Sequence, residues 1–201
     1  MQSKKWLVYY KTFFGLLGLS AVMTEIIVIS ARGNFNPANF FSYFTIESNI
    51  IAAFSLLIGA WMVSRRKSGT GLALLRGAAT LYMVMTGVVF AILLSGYESL
   101  TALPWDNIVL HYIMPVALLV DWLIDPPKVT LTWRRALIWL AYPLTYLAYS
   151  LIRGSIVGWY PYPFLNPDKN GYVGVVLISL AITVVALGVV WLLLRRMRKL
   201  S

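Results

Sequence analysis

The chain has 201 residues, 60% of them hydrophobic and 12% charged, with a mean hydropathy of +0.76. Soluble domains average about 45–50% apolar and about 25% charged residues, so a soluble globular class is excluded. The net charge is +10, there is one histidine and there is no cysteine, which removes disulfides, thiol nucleophiles and cysteine-ligated metals and leaves too few converging ligands for a zinc centre.

Long apolar runs recur between charged or Gly/Pro-rich breaks. They predict an all-α, polytopic membrane protein: one domain over 1–201, with six transmembrane helices in a single bundle. The predicted spans lie near 6–30, 39–64, 70–96, 106–124, 132–153 and 171–194. Each reaches or nearly reaches the roughly 20 residues that a helix needs to cross the hydrocarbon. The first is too long for a signal peptide and contains Lys11 and Glu25, so it is expected to remain in place.

The basic residues sort by side. Lys4 and Lys5 precede span one, and Arg65, Arg66 and Lys67 link spans two and three. Lys128, Arg134 and Arg135 surround the link between spans four and five, and Arg195, Arg196, Arg198 and Lys199 follow span six. The opposite side carries Arg32 and Lys169. The positive-inside rule then places both termini in the cytoplasm. The basic excess is therefore a topology signal, and no nucleic-acid partner is expected. The outer link between spans five and six, GWYPYPFLNP (158–167), is aromatic and proline-rich, as suits a membrane interface.

Polarity inside the spans is the next signal. NFFSYFTIESNIIAAF (39–54) holds Ser42, Thr45, Ser48 and Asn49 at three- and four-residue spacing, one polar stripe on a helix. NIVLHYIMP (107–115) places Asn107, His111 and Pro115 four apart on one face. Pro115 has no N–H and deprives the His111 carbonyl of its helical donor, which predicts a kink. At 1.5 Å per residue, Thr45 lies roughly 9 Å and His111 roughly 7–8 Å from the outer ends of their spans, and Glu25 lies at a similar depth. Polar groups at that depth face protein or a water-filled cavity.

A threonine hydroxyl needs a neighbouring base to become a nucleophile. His111 is the right type of group for that base. Thr45 and His111 are thus the candidate catalytic pair. Asn107 is the candidate orienter, with Asp106 and Glu25 as rivals, and Ser48 or Asn49 is the candidate oxyanion donor. Arg153, at the outer end of span five, either clamps a substrate carboxylate or snorkels. Tyr162, in the loop that caps the site, either binds substrate or anchors at the interface. Lys11, Arg76 and Asp121 fall towards the other end as a structural charge cluster. Each site residue also has a bland role: Thr45 bonding back to the preceding turn, and the polar stripe acting as interhelical glue.

Three segments, YFTIESN (43–49), NIVLHYIMP (107–115) and YPFL (162–165), together with the six-helix layout, resemble the androgen-induced and androgen-dependent-regulator family of membrane threonine hydrolases and its bacterial branch. The layout matches over nearly the whole chain; outside these segments the similarity is mostly hydrophobicity. The resemblance implies a cofactor-independent membrane hydrolase of lipid esters, such as fatty acid esters of hydroxy fatty acids, in a bacterial cytoplasmic membrane. It puts the nucleophile at Thr45 and the essential histidine at His111. The chain departs from the family at Ile108, where eukaryotic members carry a second histidine, and at Ser48, where they carry aspartate, so the orienting and oxyanion roles are not carried over. Two other classes fit the same residues: a proton-coupled transporter or channel with His111 and Glu25 as relay groups, and a non-catalytic scaffold.

Overall fold

A computed structural model describes residues 5–96 and 101–198; Lys4 and Lys199, counted above among the basic flanks, lie outside the described residues. The described chain is all helical, with no strand. Helix α1 (Lys5–Ala31) buries Gly15, Gly18 and Ala21. These small residues let α1 approach its neighbours: a Cβ at Gly15 would stand 2.8 Å from Leu57, and one at Gly18 2.7 Å from Met114. Its other face exposes Trp6, Tyr9, Phe13, Leu16, Met23 and Ile27, an apolar exterior that water does not tolerate over such an area.

A short helix α2 (Pro37–Phe40) follows, started by Pro37 and capped by the Asn36 side chain, which accepts from the Asn39 N–H. It breaks the predicted second span. Helix α3 (Phe44–Ser64) begins only after the turn at 41–43, so Thr45 lies in its first turn. Helix α4 (Thr70–Val89) runs into a π-helical turn, Phe90–Leu94. Helices α5 (Pro104–Ile108) and α6 (Met114–Ile124) are joined by a second π turn, Val109–Ile113, into one rod. The expected disturbance near Pro115 takes this form: with no N–H on Pro115, the Met114 N–H reaches back to the Val109 carbonyl.

Four helices, 5–31, 44–64, 70–94 and 104–124, and the last, α9 (Pro167–Arg198, broken at Gly171 with φ 66°), are long and apolar enough to cross a membrane. The segment predicted as span five is built differently. It comprises α7 (Trp133–Ala136), a 3₁₀ turn (Leu137–Leu140) and α8 (Ala141–Val157). The 17 residues of α8 reach about 25 Å, short of the roughly 30 Å of hydrocarbon on their own.

One apolar core gathers Leu81, Trp122, Trp139, Val190 and Leu193. Trp122 donates its indole N–H to the Leu193 carbonyl at 3.2 Å. The second core, around Ala52, Leu56, Met83 and Met114, joins α1, α3, α4 and the 104–124 rod. At the end of the bundle that holds the start of α1, Lys11 pairs with Asp121 and Asp125, and Arg76 grips both acids. This ionic group extends the predicted cluster by one member, Asp125. It lies at the opposite end of the bundle from Thr45.

Candidate functional site

The start of α3 explains why Thr45 is where it is. The first N–H groups of a helix have no partner within it. Tyr43, the residue that precedes α3, offers no side-chain cap. The Thr45 N–H is instead taken by the Tyr162 phenol, 3.1 Å away, reaching in from the loop between α8 and α9. The same phenol lies 3.2 Å from Thr45 Oγ1. Tyr162 is therefore buried against α3, and burial pushes its hydroxyl up to about 12. It stays protonated at neutral pH and keeps a proton to donate.

From the 104–124 rod, His111 brings Nε2 to 3.4 Å from Thr45 Oγ1. Its other ring nitrogen, Nδ1, is 3.3 Å from the Asn107 carbonyl oxygen. A carbonyl can only accept, so this contact puts a proton on Nδ1 and leaves Nε2 as an acceptor facing the threonine. Phe90 stacks on the imidazole with centroids 4.0 Å apart and covers one ring face. Both residues of this stack belong to π turns, a distortion that recurs at functional sites.

The other predicted residues divide. Asn107 orients the histidine through its backbone carbonyl, while its side-chain oxygen is buried without a partner. Asn49 donates its amide to the Thr45 carbonyl at 2.8 Å and the Leu110 carbonyl at 3.2 Å. It ties the histidine's helix to α3 beneath the pair. Ser48 donates to the Thr45 carbonyl and meets the Thr86 hydroxyl at 3.0 Å. Both side chains are committed to holding α3 against its neighbours. Glu25 is held elsewhere: its carboxylate accepts from the Ala102 N–H at 2.8 Å, in the approach to α5. Arg153 donates to the Asn39 side chain at 2.7 Å and lies over the Trp159 ring, 5.2 Å from its centroid. Its contacts fasten the C-terminal end of α8 to α2 and the loop.

An apolar cavity of about 120 Å³ opens beside Thr45 and Tyr162. Its walls include Thr86 and Val89 of α4, Leu144 and Leu147 of α8, and Ile182 and Thr183 of α9. Leu144 is also 52% exposed on the outside of the bundle, so the cavity lies directly behind the α8 exterior. Among the described residues no three acids or histidines converge as a metal site would require.

Sequence reasoning missed Phe90 and Thr86 as parts of this site, and it missed the end-capping contact of Tyr162. Thr86 carried a signal, a hydroxyl inside a predicted span; Phe90 carried none, being one apolar residue among many.

A buried hydroxyl, an imidazole with its acceptor nitrogen turned towards it, a phenolic hydroxyl and an adjoining apolar cavity meet at one place in the bundle. Comparison with known proteins adds no identification: no family model, no curated protein and no solved structure matches the chain.

Proposed function

We propose that the chain is an integral membrane hydrolase of lipid esters, with six spans and both termini in the cytoplasm, in which Thr45 is the nucleophile and His111 the general base. The observation that carries the reading is the Thr45 Oγ1 to His111 Nε2 approach of 3.4 Å, with Nδ1 held by the Asn107 carbonyl. Catalytic hydrogen bonds of about 2.6–3.2 Å are often longer before substrate binds.

The chemistry follows from the placement of protons. Thr45 Oγ1 attacks the ester carbonyl carbon while His111 Nε2 takes the hydroxyl proton. The imidazolium, steadied at Nδ1 by the Asn107 carbonyl, gives that proton to the departing alkoxide. Water then attacks the acyl-threonine, again through His111, which releases the fatty acid and restores the hydroxyl. The carbonyl oxygen gains negative charge in both attacks. Tyr162 supplies a buried O–H beside it, and the first turn of α3 supplies the positive end of a helix dipole. The cavity takes the acyl group.

Six spans follow if the 133–157 segment crosses as a whole, with α7 and the 3₁₀ turn supplying the length α8 lacks. The ends of α1 and α9 support a common side for the termini: Arg196 donates to the Leu123 carbonyl at 3.0 Å, close to the acids that bind Lys11.

The test is covalent labelling of detergent-purified protein by a fluorophosphonate, with hydrolysis of a hydroxy-fatty-acid ester followed in parallel. Wild type is expected to label and hydrolyse, and Thr45→Ala and His111→Ala to do neither while remaining folded. Labelling of Thr45→Ala at the wild-type level would remove the nucleophile assignment. A His111-dependent proton flux in liposomes that survives Thr45→Ala would replace hydrolysis by proton transport.

A further inference from the structure

At the end of the bundle opposite Thr45, a cleft of about 710 Å³ opens between the start of α1, the α3–α4 turn and the loop after α6. Ligand pockets commonly measure about 300–1,000 Å³. Lys5, Arg66, Lys67 and Lys128 line it, and Arg76 and Asp125 reach it from the buried ionic group. That group balances itself: Lys11 and Arg76 face Asp121 and Asp125. None of the four rim cations is ion-paired with a described residue. The cleft therefore presents four positive charges that its own acid does not offset.

A topology signal alone does not account for this. Basic residues that set orientation need only flank the spans, as Arg134 and Arg135 do without lining the cleft. Arg66 adds a second observation. It ends α3 with φ 53°, where the Arg66 N–H returns to the Val63 carbonyl and the Lys67 N–H to the Met62 carbonyl. That closing turn strongly favours glycine, because a Cβ is crowded in the left-handed region. The chain keeps an arginine there, and its side chain lines the cleft. The walls between the cations are apolar, with Val8, Val63 and Leu72, and Tyr9 at the edge is 71% exposed on the lipid-facing side of α1. Cations over apolar walls that continue onto a lipid-facing helix match a phosphate headgroup with its chains alongside.

We propose that this cleft binds the headgroup of an anionic phospholipid, with the phosphate held by Arg66, Lys67 and Lys128. The site is separate from the Thr45 centre and does not depend on the hydrolase reading. The zwitterionic headgroup of a phosphatidylcholine is a poor fit, because its choline would meet the same cations.

The experiment follows the Tm of the full chain in a neutral detergent during titration with short-chain phosphatidylglycerol, short-chain phosphatidylcholine or glycerol 3-phosphate. Phosphatidylglycerol is expected to raise Tm saturably, phosphatidylcholine to do so far less and glycerol 3-phosphate not at all. In an Arg66→Gln, Lys67→Gln, Lys128→Gln variant the apparent affinity should fall about 100-fold, at about fivefold per basic side chain near a lipid surface. The Arg134→Gln, Arg135→Gln variant should bind as wild type. Lys128→Gln alone, with a fivefold loss, serves if the triple variant does not fold. Equal responses to the two lipids, or unchanged affinity in these cleft variants, would overturn the proposal. A full response to glycerol 3-phosphate would assign the cleft to a free phosphate ester and overturn the lipid.

Discussion

Thr45 and His111 are separated by 66 positions in the chain and by 3.4 Å between Oγ1 and Nε2. Two different helices supply them, and Asn49 fastens those helices together just below, with one amide shared between the Thr45 and Leu110 carbonyls. On the hydrolase reading, His111→Ala lowers kcat/KM by about 10²–10⁴, the usual range for a positioned general base. Thr45→Ser keeps the hydroxyl and so keeps fluorophosphonate labelling. Steady-state rates on one ester, with labelling as the second readout, separate the two roles.

Removing the Tyr162 hydroxyl tests a different contact. Tyr162→Phe leaves the buried Thr45 N–H without its acceptor, which costs about 1–3 kcal/mol of stability. It also removes the O–H beside the nucleophile, for which a loss of about 10²–10³ in kcat is expected if that group meets the oxyanion. A pH signature accompanies the change. The folded phenol sits at about 12 because burial disfavours the phenolate, above the unfolded value of about 10. The folded protein therefore holds a proton that the unfolded chain gives up. This contribution to stability is complete below about pH 10 and is lost as pH rises through about 12. Wild-type Tm should fall more steeply over that interval than the Tm of Tyr162→Phe.

Much of this layout can be read from the sequence. Apolar run lengths alone delimit five helices, because a span of lipid sets their length. The fifth predicted span is built differently because of a local feature: the 3₁₀ turn at 137–140 interrupts an apolar run that looks continuous. The second span starts late because Asn36 and Pro37 build a separate helical turn first. Depth along a span groups Thr45, His111 and Glu25, but depth carries no rotation. Only the packed bundle shows that Glu25 turns to Ala102 while the other two face each other. Phe90 was illegible for a related reason. A helix in lipid is apolar on nearly every face, so its pattern does not say which phenylalanine meets the imidazole.

The buried ionic group makes a prediction about stability. Lys11 has no exposed surface and Asp121 joins it to Arg76. Asp121→Leu leaves two buried cations to share the one remaining acid, Asp125, and breaking a buried ionic group from one side costs about 3–5 kcal/mol. Removing Lys11 together with Asp121, as Lys11→Met with Asp121→Leu, should cost less than the sum of the single changes. Unfolding of the four proteins in one detergent gives that coupling directly.

Close packing between helices makes another. A Cβ on Gly77 would stand 2.0 Å from the Trp139 ring, and Trp139 is 1% exposed within the core. The ring has nowhere to withdraw, so Gly77→Ala should destabilise the protein by about 1–3 kcal/mol, as overpacking does. Gly188, where an added Cβ meets nothing within 4 Å, is the matched control. Gly188→Ala should be neutral or stabilising, since alanine favours the helix by about 1 kcal/mol. A Tm series on the two variants decides it.

The cavity links packing back to function. Its volume of about 120 Å³ is near that of the roughly 150 Å³ engineered cavities that hold benzene, so it accommodates a short apolar group. Thr183 lines it from α9, a different helix from those that carry Thr45 and His111. Thr183→Phe would fill the acyl space without altering the reacting groups. If the cavity receives the acyl chain, hydrolysis of long-chain esters should fall by roughly 10-fold or more relative to an acetate ester, because a pocket discriminates by about 10–200-fold per methylene. The acetate rate should stay near wild type. Equal loss on both esters would mean that the cavity does not hold the acyl group and that the substrate reaches Thr45 from another direction.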